Sequence, residues 1–93
     1  MGQEDSQLGV KQWSVIISID EHDNSTEANA HLYRPGEGLN GVGRAPFEAD
    51  ERTPASIVDE LAAARALSDL ARQLFKATAA DIHAIKPPAA ADQ

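Results

Sequence analysis

The chain has no cysteine, and that one absence removes disulfides, thiolate nucleophiles and cysteine-based zinc sites together. It fits a reducing compartment, and a cytoplasmic location is expected. Aromatic residues are only 4% of the 93 positions, so a core must be assembled from Ile, Leu, Val and Ala and will be thin. No run approaches the ~20 apolar residues that cross a bilayer, and residues 1–12, MGQEDSQLGVKQ, are too polar for a secretory signal. Basic residues are scarce as well. Eight Lys and Arg stand against fifteen Asp and Glu, a formal charge of −7, which repels nucleic acid on average because phosphate binding needs a local excess of cations.

What is present fits one small domain, too short to hold a buried multi-residue pocket beside its core. Residues 1–9 are expected to be a disordered leader, 10–86 a single α+β domain and 87–93 a disordered tail. Over residues 13–19, Trp13, Val15, Ile17 and Ile19 alternate with Ser14, Ile16 and Ser18, the period-two pattern of a strand with one buried face. Residues 26–34 alternate again, with Ala28, Ala30 and Leu32 on one side and Glu27, Asn29, His31 and Tyr33 on the other. Pro35, Gly36, Glu37 and Gly38 supply turn chemistry, and a glycine-rich third strand follows over 39–45. After an acidic connector, Thr53 with Pro54, or Ser56 with Asp59, signals a helix start. On a 3.6-residue wheel Ile57, Leu61, Ala64, Leu67, Ala71, Leu74, Phe75, Ile82 and Ile85 gather in one stripe, expected to lie on the sheet, with Arg65, Asp69, Arg72, Lys76 and His83 on the opposite flank. Thr78 with Asp81 repeats the capping spacing and leaves open a break near Ala77, before Pro87 and Pro88 end the helix. The expected fold is a three-stranded antiparallel meander packed against a long C-terminal amphipathic helix.

Lengths add a constraint. One helix from 53 to 85 runs roughly 45–50 Å, whereas a seven-residue strand covers about 23 Å. The excess must fold back at a break or meet another surface. Ile16, Tyr33 and Val42 put apolar groups on the face that one helix cannot cover, and a three-stranded sheet has two open edges. A homodimer is therefore expected, with Ile16, Tyr33 and Val42 as its contact face.

Several motifs invite chemistry and yield to plainer readings. Asp20, Glu21, His22, Asp23 and Asn24 suggest a metal loop or an acid/base site. Counted as a calcium loop from Asp20, however, the sixth position is Ser25 where Gly is needed and the twelfth is His31 where a bidentate Glu is needed. No zinc spacing is present either. Asp and Asn bond their own backbone in turns, so Asp23-Asn24 is expected to be a hairpin turn. Gly36, Gly38 and Gly41 match the letters of a dinucleotide fingerprint, but a strand pattern follows where that motif needs a helix. Gly41 and Gly43 are expected to let the helix approach the sheet or to permit a bulge. His22, His31 and His83 fall on a turn, an outer strand face and a helix flank, so no catalytic convergence, metal or cofactor is expected. Arg65, Arg72 and Lys76 line one helix flank and are the candidate partner or RNA contact, although Asp69 is within pairing reach of both arginines.

Three runs carry a family resemblance: residues 19–23 (IDEHD), 41–43 (GVG) and 59–71 (DELAAARALSDLA), the last followed by Thr78, Asp81 and Ile82. Together they resemble a small actinobacterial family of uncharacterised proteins described as double-stranded-RNA-binding-domain-like, with mycobacterial members linked to hypoxia and dormancy. The resemblance spans about 13–85 and implies a three-stranded antiparallel sheet backed by helix, a frequent dimer, and similarity in shape to ribosome hibernation-promoting factors; it implies no enzyme activity. Two departures stand out: Pro46 replaces an Arg after strand three, and Ala55-Ser56-Ile57-Val58 replaces a Pro-Glu-Ile-Gly helix start. The first removes a basic group and a backbone donor from the end of the sheet. The leading expectation is a non-catalytic interaction module acting by protein or ribosome association in stress or dormancy. Its rivals are a direct RNA binder using the helix flank, and a metal protein or enzyme centred on Asp20 to Asp23.

Overall fold

A computed structural model describes residues 9–85. The expected tail and all of the expected leader but Gly9 lie outside them. Strands β1 (Ser14–Glu21), β2 (Thr26–Tyr33) and β3 (Leu39–Ala45) form an antiparallel sheet in the order β1-β2-β3, and one helix, α1 (Ala55–Ile85), follows. The fold is α+β, as the alternation of the sequence predicts.

Short turns join the strands. Between β1 and β2 the N–H of His22 donates to the Ser25 carbonyl at 2.8 Å, which closes the chain around Asp23 and Asn24. The acidic run is thus a turn at the end of a strand. Between β2 and β3, Gly36 takes φ 89°, a left-handed conformation that favours glycine, and the Arg34 guanidinium donates to the Glu37 carbonyl at 2.8 Å. Before α1, the Asp50 carboxylate accepts the N–H groups of Arg52 and Thr53, and the Pro54 carbonyl accepts the first helical bond, from Val58.

The register grades side-chain size across the inner face. One row holds Val15, Leu32 and Leu39, the next Ile17, Ala30 and Gly41, and the next Ile19, Ala28 and Gly43. From β1 to β3 the side chains shrink from branched aliphatic to alanine to hydrogen. A helix settles where the surface is lowest, and α1 lies over β2 and β3, making only marginal contact with β1. A Cβ added at Gly43 would overlap backbone atoms of Ala62 and Ala66, and one at Gly41 those of Ala66 and Leu70. The core is correspondingly small: Ala28, Ala30, Leu32, Ala45, Val58, Ala62, Ala66 and Leu70 are buried, with Leu39, Leu61 and Leu74 partly buried against them.

Three expectations need correction. The helix does not break near Ala77; it is continuous to Ile85, and the Thr78 hydroxyl donates back to the Leu74 carbonyl at 2.9 Å instead of starting a second helix. The face of α1 on its own sheet is not the stripe of large apolar residues but Val58, Ala62, Ala66 and Leu70, because only small side chains permit the close approach that the glycines allow. Finally, β1 has no buried face at all; each of its residues is exposed.

The glycine contact is the testable centre of this packing. Gly43→Ala should destabilise the fold by about 3 kcal/mol, the upper range for overpacking, whereas Gly36→Ala in the open turn should lose about 1–2 kcal/mol from its backbone conformation alone. Urea unfolding of the two variants measures the difference, and equal losses would contradict the packing.

Candidate functional site

The charged flank of α1 is turned toward β3. Asp69 accepts the Val42 N–H at 2.9 Å and Arg65 donates to the Arg44 carbonyl at 2.7 Å. Alternate residues of a strand aim both backbone groups the same way, and Val42 and Arg44 aim theirs outward from β2. Helix side chains therefore occupy hydrogen-bonding groups on the outer edge of β3. Arg72 pairs with Asp69, and Gln73 donates to the same carboxylate. The Val42 N–H, with Gln73 and Arg72 adding to it, outweighs partial desolvation and holds the Asp69 carboxyl below its ordinary range. Of the three basic candidates, Arg65 and Arg72 are engaged within the chain, and Lys76 is exposed one turn further on.

The other sequence candidates are placed apart. Asp20 and Glu21 are consecutive in β1 and so point to opposite faces. Glu21, His22 and Asp23 do line an open cavity of about 240 Å³ with Glu48 and Asp59, and Asp59 Oδ1 is buried without a hydrogen-bond partner. His22 lies 3.8 Å from Glu27. Among the described residues no group of three or more His, Asp or Glu is arranged to hold a metal ion. His31 meets Asn40 at 3.2 Å and stacks edge-on with Tyr33 on the outer face, and His83 is on the last turn of α1. Ile16, Tyr33 and Val42 all reach the outer face, 40–55% exposed, but their cross-strand partners are polar: His31, Ser14 and Asn29.

A more continuous apolar surface lies on the other side. Val15, Ile17 and Ile19 stand in a row on the inner face of β1, 36–43% exposed, beside rather than under α1. Residues 58–70 of α1 span the rows from Ala45 to Gly41, so everything after Leu74 projects beyond the sheet, about 16 Å of helix. Phe75, Ile82 and Ile85 on this overhang are 54–77% exposed. At 100° per residue Phe75 and Ile82 lie roughly opposite Ala62, Ala66 and Leu70, so the large apolar stripe of α1, apart from Leu61 and Leu74 at its margins against the core, is turned away from its own sheet. Ala71, Leu74, Phe75 and Thr78 line a shallow, largely apolar hollow of about 270 Å³ on it. Sequence reading found the stripe but not its direction; the size gradient across the three strands was the available signal.

A three-stranded antiparallel sheet crossed by one long helix, whose side chains occupy two hydrogen-bonding groups on the β3 edge, defines a small α+β domain. The sequence matches the Rv2632c-like family over residues 11–91, and the chain belongs to that family. It is 46% identical over 80 residues to the uncharacterised protein Rv2632c of Mycobacterium tuberculosis, 86% of each chain. It is 43% identical over 76 residues to the uncharacterised protein Mb1767 of Mycobacterium bovis, covering 82% of this chain and 81% of that one. The crystal structure of Rv2632c is similar, with a TM-score of 0.72 and 46% identity over 84% of this chain and 93% of that one. Among the described residues no helix is long and apolar enough to cross a membrane.

Asp69 makes the edge seal pH-sensitive. Its lowered folded pKa contributes stability that is present above the unfolded carboxylate value, about 3.9, and is lost as pH falls through the lower folded value. The melting-temperature gap between the native chain and Asp69→Asn should therefore be complete above about pH 5 and narrow as pH falls below the unfolded carboxylate value. A gap that stays constant across that range would show that the carboxylate charge is not what holds Val42.

Proposed function

We propose that this protein is a non-catalytic interaction module that works as a homodimer and associates with a ribosome or a protein partner in stress or dormancy. The observation that carries this reading is the outward apolar stripe of α1 ending in Phe75, Ile82 and Ile85, beside the uncovered row Val15, Ile17 and Ile19. Contiguous exposed apolar surface of this kind marks interaction sites in soluble proteins. An overhang of about 16 Å is also short for an isolated helix, since helices below ~12–15 residues are marginal in water without packing. The ribosomal and dormancy setting rests on the family resemblance, including its likeness to hibernation-promoting factors, and the sequence departs from that family at Pro46, where a basic group is lost.

Lys76 is the informative residue for a ribosomal contact. Arg65 and Arg72 hold the β3 edge and Asp69, so reversing their charge disturbs the fold along with any surface contact, whereas Lys76 is on the exposed overhang. Purified protein should co-sediment saturably with mycobacterial ribosomes at near-physiological salt, and Lys76→Glu should weaken that binding several-fold while leaving circular dichroism unchanged. Absence of binding at both low and physiological salt would overturn the ribosomal arm and direct the search to protein partners.

A further inference from the structure

We propose that the cavity between the start of α1 and the β1–β2 turn binds a linear aliphatic polyamine. The cavity follows from the seat of the helix. On the inner face Glu21, Thr26 and Ala45 form the last row of the sheet. The first turns of α1 lie over Thr26 and Ala45, which are buried, and leave Glu21 beside them, as α1 leaves the rest of β1. His22 and Asp23 of the turn and Glu48 and Ala49 of the connector wall the space that results, about 240 Å³. It is separate from the overhang of α1 and from the row of Val15, Ile17 and Ile19, so its occupancy is independent of the preceding reading.

Charge and two unmet polar groups point to the occupant. The carboxylates of Glu21, Asp23, Glu48 and Asp59 line the cavity with one imidazole and no Lys or Arg, and a cleft lined by one sign of charge concentrates ions of the other. Thr26 is 6% exposed and lines the same cavity, and its hydroxyl makes no hydrogen bond with the described residues. Asp59 Oδ1 is buried without a partner. A carboxylate oxygen buried without a donor costs free energy, and the structural return that an acid gives near a helix start is missing here. Asp59 stands a full turn into α1, past the free N–H groups that such an acid would cap. The carboxylate turns easily about its last torsion, so either oxygen can meet a donor placed in the cavity.

The spread of the acids selects the kind of cation. Among the described residues no three of them converge as metal ligands, whereas Mg²⁺ or Ca²⁺ needs a full shell of oxygens around one point. An ammonium group needs only single hydrogen bonds to separate acceptors, and ammonium groups joined by methylenes reach acids that lie apart. Ala49, Ala55 and Val58 supply apolar wall for the methylenes. The volume is that of roughly eight waters, room for an aliphatic amine of about as many heavy atoms.

Spermidine is the probe. Titration calorimetry at near-physiological salt should give saturable binding at one equivalent per chain, and the melting temperature should rise by several degrees at saturation. Asp59→Asn and, separately, Glu48→Gln on the exposed connector should each weaken binding at least tenfold. Glu37→Gln, which removes the same charge from the exposed β2–β3 turn, should leave it unchanged. Mg²⁺ at equal ionic strength should produce neither heat nor a shift. Without amine, Asp59→Asn should melt no lower than the native chain, because the charge it removes has no partner to lose; a marked loss of stability would show the acid to be structurally bonded and overturn the assignment. Equal spermidine binding by the native chain, Asp59→Asn and Glu48→Gln would reduce the effect to general screening of an acidic protein, an equal shift with Mg²⁺ would replace the amine by a metal ion, and no binding at millimolar spermidine would leave the cavity without this ligand. Each of these outcomes overturns the proposal.

Discussion

Everything in this fold follows from how closely the backbone of α1 lies on the backbone of β3. Gly41 and Gly43 have no side chain to hold the helix away, and Ala62 and Ala66 have almost none on the other side. Two strand residues advance about 6.7 Å and four helix residues 6 Å, so the two glycines and the two alanines keep step. With aromatic residues nearly absent, the chain gains packing from proximity rather than from bulk, and dispersion falls off steeply once surfaces separate. The helix is thereby committed to one side of the sheet, and β1, with the tallest side chains, is left outside the contact.

That commitment divides α1 into three faces with separate tasks. The small face builds the core. The charged face, through Asp69 and Arg65, satisfies backbone groups on the edge of β3. The large apolar face, which contains most of the bulky side chains of the helix, brings only Leu61 and Leu74 against the core and is otherwise exposed among the described residues. A helix apolar on more than one side is normally enclosed by protein, and the helix also outruns the sheet that carries it. Both facts turn attention toward apolar surfaces that the other described residues leave exposed.

The strands and their turns were legible in the sequence from period-two alternation and turn residues, and the close approach at Gly41 and Gly43 was one of two readings their placement allowed, the other being a bulge. The orientation of α1 was not. A hydrophobic wheel weights large side chains and so selected Ile57, Leu67 and Phe75, whereas close packing on glycine selects alanine. Matching the spacing of Gly41 and Gly43 to that of Ala62 and Ala66 would have found the true face. The i,i+3 pairing of Arg72 with Asp69 was visible, but the reach of Asp69 and Arg65 to β3 was not, since it depends on where the helix lands. The break allowed at Thr78 failed because a hydroxyl that bonds back to Leu74 has no need to cap a new helix. The candidates on the outer face of the sheet could be named from alternation alone; the open inner row could not, because it arises only from the off-centre seat of the helix.

The occupied edge of β3 has a consequence for what the protein does when crowded. A sheet with two bare edges can recruit strands at both ends and so propagate from molecule to molecule without limit. Here an aspartate and an arginine act as a terminator on one side, leaving recruitment a single direction. Strand pairing through the β1 edge would join two sheets and leave, among the described residues, only β3 edges already partly occupied by helix side chains.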